Sequence, residues 1–178
     1  MEKVIDKYLN DLIIHGLNKT VGDVVLEMAD PNQAREEEWR IWNPIRSTVT
    51  DQEIEAFQSR IGHKLPESYK RFLKHKHFYE LYIGELSFCT HPPGIWRTSL
   101  SEMIFEGYPR EYLFDKGRIP FADWSDWGHL CFDTSAECKD NDYPIVLWDH
   151  DQSDEFEYKY QNFESMLFEL DRETKDES

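Results

Sequence analysis

The sequence predicts an α+β domain in which an antiparallel or mixed sheet is flanked by helices. Helical apolar spacing dominates the first part of the chain, short aromatic and β-branched runs follow between residues 78 and 160, and helical spacing returns after residue 162. The length of 178 residues suits one domain with a short appendage. Aromatic residues make up 15% of the chain, which is too many for a disordered segment.

The N-terminal part of the chain is predicted to be a helical extension. Residues 2–16 carry apolar side chains at three- and four-residue spacing, and Gly16 can end this helix. We assign residues 1–40 to the extension, residues 41–170 to the main domain, and residues 171–178 to a polar tail that is expected to fray.

Two short helices are predicted to open the main domain. Thr50 and Glu53 have the spacing of a capping box, and Gly62 is placed to end the helix that they begin. Pro66 suits the first turn of the next helix, whose buried face includes Phe72.

The second half of the main domain is predicted to contain consecutive strands and a last helix. Gly84 marks a turn or bulge within the first strand region, and Asn162 can cap the last helix. The predicted strand regions are residues 78–89, 118–122, 129–133, 144–149 and 155–160.

Three segments of the main domain occur in an order that is typical of a known family. They are IEAFQSRIGHKLPESYKRFL (54–73), RIPFADWSDWGHLCFDT (118–134) and YPIVLWDHDQSDEFEYKYQNFESML (143–167). Together they resemble the SUKH superfamily, specifically its Smi–Knr branch, over about residues 41–170. The chain departs from that pattern at residues 76–78, where the family often has an Asn-Gly-Gly turn, and at Gln58, where an acidic residue is common.

The resemblance implies an α+β domain without a catalytic centre. Many bacterial members of the family look like immunity proteins, which bind and neutralise a cognate polymorphic toxin, often a nuclease. Yeast relatives act instead as regulatory scaffolds in cell-wall synthesis. The resemblance therefore leaves two functions open, an immunity protein and a regulatory scaffold.

The charge of the chain restricts its partners. It has 20 basic and 36 acidic residues, a net charge of −16. Such a chain repels the phosphates of a nucleic acid and an anionic membrane surface, so neither is an expected partner. The expected partner is a basic protein. A toxin nuclease is such a basic protein, because it needs a basic cleft to bind the phosphates of its substrate. The charged N-terminus (MEKVIDKYLN) and the lack of a long apolar run favour a soluble cytoplasmic protein.

The strongest local feature is an acidic stretch from Asp123 to Glu157. It contains eleven carboxylates and one basic residue, Lys139, with aromatic residues interleaved. We interpret it as a surface that attracts a basic partner by charge and anchors it through tryptophan. The predicted binding residues are Trp124, Asp126, Trp127, Asp149, Asp151, Asp154, Glu155 and Glu157. The alternative interpretation is a solvated rim of loops that only keeps the protein soluble.

Metal sites are not expected from the sequence. The acidic loop at residues 149–155 offers oxygen ligands for calcium, but the Gly and Glu that an EF-hand needs are absent. His75 and His77 have no further Cys or His at zinc-ligand spacing. Three cysteines, Cys89, Cys131 and Cys138, without a CxxC motif predict neither a disulfide framework nor a zinc site.

Catalysis is not expected either. His129 and Cys131 are two residues apart on a predicted strand and share one face, so a thiol–imidazole pair is conceivable, although packing is the favoured role of Cys131. The chain has no GxSxG elbow, P-loop or dinucleotide fingerprint. We therefore expect a non-enzymatic protein without a cofactor, which as an immunity protein would occlude a toxin's active cleft. A regulatory scaffold is the second possibility, and a small hydrolase using the acidic loop a distant third.

Overall fold

The computed structural model describes residues 1–33, 38–107, 110–126, 128–136, 141–152 and 155–176. The helices in these ranges are α1 (Glu2–Ile14), α2 (Asp51–Ile61), α3 (Glu67–Leu73), α4 (Trp96–Phe105) and α5 (Phe163–Asp176). The strands are β1 (Lys19–Val21), β2 (Trp39–Ile41), β3 (Ile45–Arg46), β4 (Lys76–His77), β5 (Tyr82–Ile83), β6 (Leu86–Phe88), β7 (Arg118–Trp124), β8 (Gly128–Asp133), β9 (Ile145–Asp149) and β10 (Phe156–Tyr160).

The main sheet is an antiparallel meander of six strands in the order β10-β9-β8-β7-β6-β5. Each strand pairs with its neighbour in the sequence, so the helix inserted between β6 and β7 does not change the strand order. Two small antiparallel pairs, β1–β2 and β3–β4, lie outside this sheet. The predicted α+β class is confirmed.

Local signals determine the ends of several elements. The Thr50 hydroxyl accepts a hydrogen bond from the Glu53 amide at 3.2 Å, and the Glu53 carboxylate accepts one from the Thr50 amide at 2.9 Å, which completes the capping box. Gly62 ends α2 at φ 70°, where a side chain would be strained. At α5, the Asn162 side-chain oxygen accepts a hydrogen bond from the Ser165 amide at 2.8 Å.

Two parts of the chain differ from the sequence prediction. No helix or strand was predicted between residues 89 and 118, where the structure has the helix α4 (Trp96–Phe105). The last helix extends to Asp176, past residue 171 where the polar tail was expected to begin. Contacts with α1 explain the extension, because Lys7 donates a hydrogen bond to the Asp171 carboxylate at 2.7 Å.

The N-terminal helix shares the core of the main domain. Val4, Ile5 and Leu9 are buried in the same apolar cluster as the residues of α3, α5 and the main sheet. Met28 and Trp42, on either side of β2, are completely buried. The boundary at residue 40 between extension and main domain stays a prediction, whereas the packing of α1 against the main core is a feature of the structure.

The centre of the core is a group of aromatic rings around Phe163, the first residue of α5. Its ring centroid lies 5.1 Å from Tyr69, 5.2 Å from Phe72 and 5.6 Å from Phe121. Phe121 in turn stacks on Phe132 of the neighbouring strand at 4.2 Å. Because Tyr69 and Phe72 belong to α3, this group joins two helices to one face of the sheet.

Two buried histidines join β4 to the chain after β6. His77 Nε2 accepts a hydrogen bond from the Thr48 amide at 2.9 Å, and its Nδ1–H donates to the His91 carbonyl at 2.7 Å. His91 donates through Nε2 to the Leu73 carbonyl at 2.8 Å. Burial lowers the pKa of His77 and lowers the pKa of His91 to about 3. Both rings are therefore neutral in the folded protein at neutral pH.

We expect the substitution Phe72→Ala to lower the free energy of unfolding by about 3–5 kcal/mol, because it opens a cavity among the aromatic rings. The matched control is Phe168→Ala on α5, whose side chain is 49% exposed and should change the free energy by less than about 0.5 kcal/mol. Urea unfolding of both variants measures the difference. Equal midpoints for Phe72→Ala and the wild type would show that the aromatic group is not the core.

We also expect stability to fall as the pH decreases from 7 to 5. The unfolded chain protonates His77 and His91 near their ordinary pKa of 6.5, whereas the folded chain resists protonation. The loss should begin near pH 6.5 and continue toward about 3, the folded pKa of His91. Urea midpoints at pH 7, 6 and 5 measure it, and the control His15→Gln, at an exposed position, should show the same decline. A midpoint that does not change with pH would contradict the neutral buried pair.

Candidate protein-binding surface

The meander brings three hairpin turns to one end of the sheet. In an antiparallel meander every second connection lies at the same end, so the β5–β6, β7–β8 and β9–β10 turns are neighbours. A hydrogen bond from the Ser125 amide to the Glu85 carbonyl, at 2.9 Å, joins the first two turns. The cross-strand partners of Gly128 on β8 are Trp124 on β7 and Asp149 on β9. This register places the β9–β10 turn beside the other two turns.

Gly128 allows the strands at this end to approach closely. A Cβ atom on Gly128 would overlap the carbonyl oxygen of Trp148 on β9, so no other residue fits without moving a strand. On the other side of Gly128, Trp124 is half-buried and packs against the main core. The predicted anchor Trp124 is therefore partly a structural residue.

The β9–β10 turn carries most of the predicted acidic residues. The Asp149 carboxylate accepts a hydrogen bond from the Asp151 amide at 2.8 Å, which shapes the 3₁₀ turn at His150–Gln152. The side chains of Asp151 and Glu155 are exposed, as is that of Glu157 on β10. The turn therefore holds its carboxylates at the surface rather than in the core.

The described carboxylates of the three turns lie at one end of the sheet, which we call the acidic end. It consists of the carboxylates of Glu85, Asp126, Asp149, Asp151 and Glu155. No lysine or arginine occurs in the sequence of the three turns, at residues 84–85, 125–127 and 150–155. Sequence analysis did not select Glu85, because it lies about 40 residues before the acidic stretch and only the strand order brings it there.

Two of the predicted binding residues, Trp127 and Asp154, lie outside the described residues. Glu157 is on β10, next to the acidic end, and forms an ion pair with Lys159 at 2.9 Å. The structure thus brings Trp124, Asp126, Asp149, Asp151, Glu155 and Glu157 to one end of the sheet.

Three other carboxylates of the acidic stretch have structural partners. Asp133 forms an ion pair with Arg118 at 2.8 Å at the opposite end of the sheet. Asp142 accepts a hydrogen bond from the Ser68 amide in the first turn of α3 at 3.1 Å. Asp123 lies 2.8 Å from His129 Nδ1 on the neighbouring strand. The acidic stretch is therefore divided between structural roles and surface exposure.

The thiol of Cys131 is poorly suited to nucleophilic chemistry. Cys131 and His129 share a sheet face, as expected, but the thiol is directed to the His129 carbonyl oxygen at 3.9 Å. The His129 ring instead stacks on Trp148 with a centroid distance of 5.9 Å. Burial raises the pKa of Cys131 well above its ordinary value, which disfavours the reactive thiolate.

The candidate metal ligands have other partners. His75 lies 2.8 Å from the Asp6 carboxylate, and His77 is in the buried pair described above. Within the described ranges, no three His, Cys, Asp or Glu residues are grouped so that they could hold a metal ion. Cys89 and Cys131 are free thiols.

The sequence model of the SMI1 / KNR4 family (SUKH-1) matches residues 48–169. The chain belongs to this family. The match begins three residues before the first residue of the capped helix α2 and ends within α5, so it spans the whole main sheet. No curated protein shows significant similarity to the chain.

Membership of the SMI1 / KNR4 family supports a non-catalytic domain of the immunity or Smi–Knr type that binds protein. It does not favour one of these types over the other. None of the described helices has the length and apolar character needed to cross a membrane. The residues at the N-terminus, up to Ser47, lie outside the family match.

Several large apolar side chains in this N-terminal part are exposed, which the sequence analysis did not predict. Val21 and Trp39 face each other across β1 and β2, and the Trp39 side chain is 53% exposed. Ile14 and Leu17, at and after the end of α1, and Leu26 are also exposed. Large exposed apolar side chains are typical of protein contacts when they lie near one another.

We expect Gly128→Ala to lower the free energy of unfolding by about 1–3 kcal/mol, because the new methyl group must displace β9. The matched control is Gly107→Ala, where the nearest atom to a new Cβ is 3.4 Å away and the loss should be less than about 0.5 kcal/mol. Urea unfolding of both variants provides the test. A Gly128→Ala variant as stable as the control would mean that β8 and β9 are not in close contact at this position.

Proposed function

We propose that this protein is an immunity protein that binds a basic toxin, a nuclease, and blocks its active cleft. The observation that carries the proposal is the acidic end, where three hairpin turns whose sequences contain no lysine or arginine bring their described carboxylates to the same end of the sheet. A nuclease cleft must be basic to bind phosphates, so carboxylates held in this way can take the place of the substrate.

The electrostatics favour capture of such a partner. The net charge of −16 attracts a basic protein from a distance, and the acidic end directs it to one surface. Because Asp126, Asp151 and Glu155 are exposed, their attraction acts mainly on the rate of association and weakens with added salt.

One of the two predicted tryptophan anchors, Trp124, also has a structural role. Trp124 is half-buried against the core, so only part of its ring is available to a partner. A Trp124→Ala variant would lose core packing as well as partner contact. The binding experiment below therefore uses the acidic residues, whose substitution leaves the core unchanged.

A regulatory scaffold remains the second candidate function, and one observation favours it. The exposed apolar residues Ile14, Leu17, Val21 and Trp39 lie outside the family match. A scaffold needs two binding surfaces, whereas occlusion of one cleft needs only one. Loss of partner binding in a Trp39→Ala variant, with the acidic end intact, would favour the scaffold.

We expect simultaneous reversal of Asp126, Asp151 and Glu155 to lysine to weaken partner binding by at least about tenfold at low salt. The three changes move the net charge by +6, from −16 to −10. Stability should change by less than about 0.5 kcal/mol at the exposed sites. The partner is the protein retained by the wild-type chain in a pull-down from the producing cell, and its association and dissociation rates are measured at low and high salt.

The matched control reverses Glu2, Glu27 and Glu55, which are exposed on other parts of the surface. It produces the same change in net charge, so it separates the effect of the overall charge on binding from the effect of where the charges lie. We expect the control to bind within a few-fold of the wild type. Equal weakening by both triple variants would show that only net charge matters, and no weakening by either would place the interface elsewhere.

A further inference from the structure

The outer side of β10 is an open edge of the main sheet. β10 is the last of the six strands, and in the described part of the chain it pairs only with β9. At the opposite edge, β5 has only two residues and lies against α5, where Gly84 approaches Thr174. β10 has five residues, so it presents the longer row of backbone donors and acceptors.

The first three residues of β10 contain neither a bulge nor a proline, two of the features that usually protect an edge strand. Phe156, Glu157 and Tyr158 pair in regular register with β9, and the irregularity falls after Tyr158. The strand contains no proline, and its lysine, Lys159, is paired with Glu157 at 2.9 Å. The Tyr158 side chain is 62% exposed and offers an aromatic surface beside this edge.

A cavity of about 340 Å³ lies next to this edge. Its walls are Leu147, Asp149, Glu155, Phe156 and Glu157, so apolar side chains and three carboxylates line the same space. Lysine and arginine complement such a lining, because each has an apolar stem that can contact the apolar walls and a cationic head that can pair with the carboxylates. The cavity thus fits a basic side chain from a segment that lies along β10.

We propose that the partner docks by adding an extended, lysine- or arginine-rich segment to β10 as a seventh strand. Main-chain hydrogen bonds to the edge hold the segment, and its basic side chains enter the cavity between Asp149, Glu155 and Glu157. This inference rests on the proposed function, since it assumes a basic protein partner, and it specifies how that partner is bound.

The test uses a synthetic peptide of alternating lysine and valine as the probe. We expect it to bind the full chain at low salt and to slow amide hydrogen exchange in β10 at residues 156–158. A second peptide with the same sequence carries N-methyl groups on alternate residues, so it keeps the charge but loses main-chain donors on one side. We expect this peptide to bind at least about tenfold more weakly, because several hydrogen bonds are lost.

Two protein variants complete the test. The double reversal Glu155→Lys and Glu157→Lys should weaken binding of the unmethylated peptide by at least about tenfold, since it removes two cavity carboxylates. The control reversal of Glu2 and Glu55 should bind the peptide within a few-fold of the wild type. A peptide of alternating glutamate and valine should not bind.

The outcomes separate this inference from the proposed function. Equal binding of methylated and unmethylated peptides, unchanged exchange in β10, or no binding of the lysine–valine peptide would overturn strand addition. The proposed function is judged separately, by the pulled-down partner and the triple reversal at the acidic end. A partner that needs the acidic end but leaves β10 exchange unchanged would retain the proposed function and reject docking on the edge.

Discussion

The packing of Phe163 against Tyr69 and Phe72 is the contact on which the rest of the structure depends. It holds α5 and α3 together and presses both onto the face of the sheet that carries Phe121 and Phe132. Large aromatic side chains bury much apolar area each, so a few rings can organise a domain of this size. With one face of the sheet covered in this way, the turns at its ends and the edge at β10 remain for binding.

The acidic end is a consequence of topology combined with this core. Like charges repel, so several carboxylates gathered at one end of a sheet oppose folding rather than favour it. The core offsets that repulsion, and close approach at Gly128 fixes the turns beside each other. The proposed basic partner would remove this repulsion on binding. An arrangement that destabilises the free protein and is relieved by a partner is typical of a binding surface.

Composition alone did not distinguish the two kinds of carboxylate in the acidic stretch. Asp133 and Asp142 are held by Arg118 and by the first turn of α3, whereas Asp151 and Glu155 are exposed. Carboxylates therefore form stabilising contacts at one end of the sheet and are exposed to a possible partner at the other. The distinction depends on which end of a strand each residue occupies, and strand order decides that.

The sequence by itself determined the elements whose signals are local. The capping box at Thr50, the turn at Gly62, the cap at Asn162 and the strands from Arg118 to Tyr160 all follow from residues within a few positions of each other. The helix α4 (Trp96–Phe105) was not predicted, because it has no side-chain cap and its buried residues pack against the core.

Only the tertiary structure decided which distant residues meet. Glu85 lies at the acidic end, and Trp124 is half-buried against the core. The hydrogen bond from Lys7 to Asp171 connects α1 to the end of α5. The tertiary structure also left β10 as the open edge. These outcomes depend on contacts between residues far apart in the chain. Local periodicity and capping reflect the nearest neighbours of a residue, so they carry no information about such contacts.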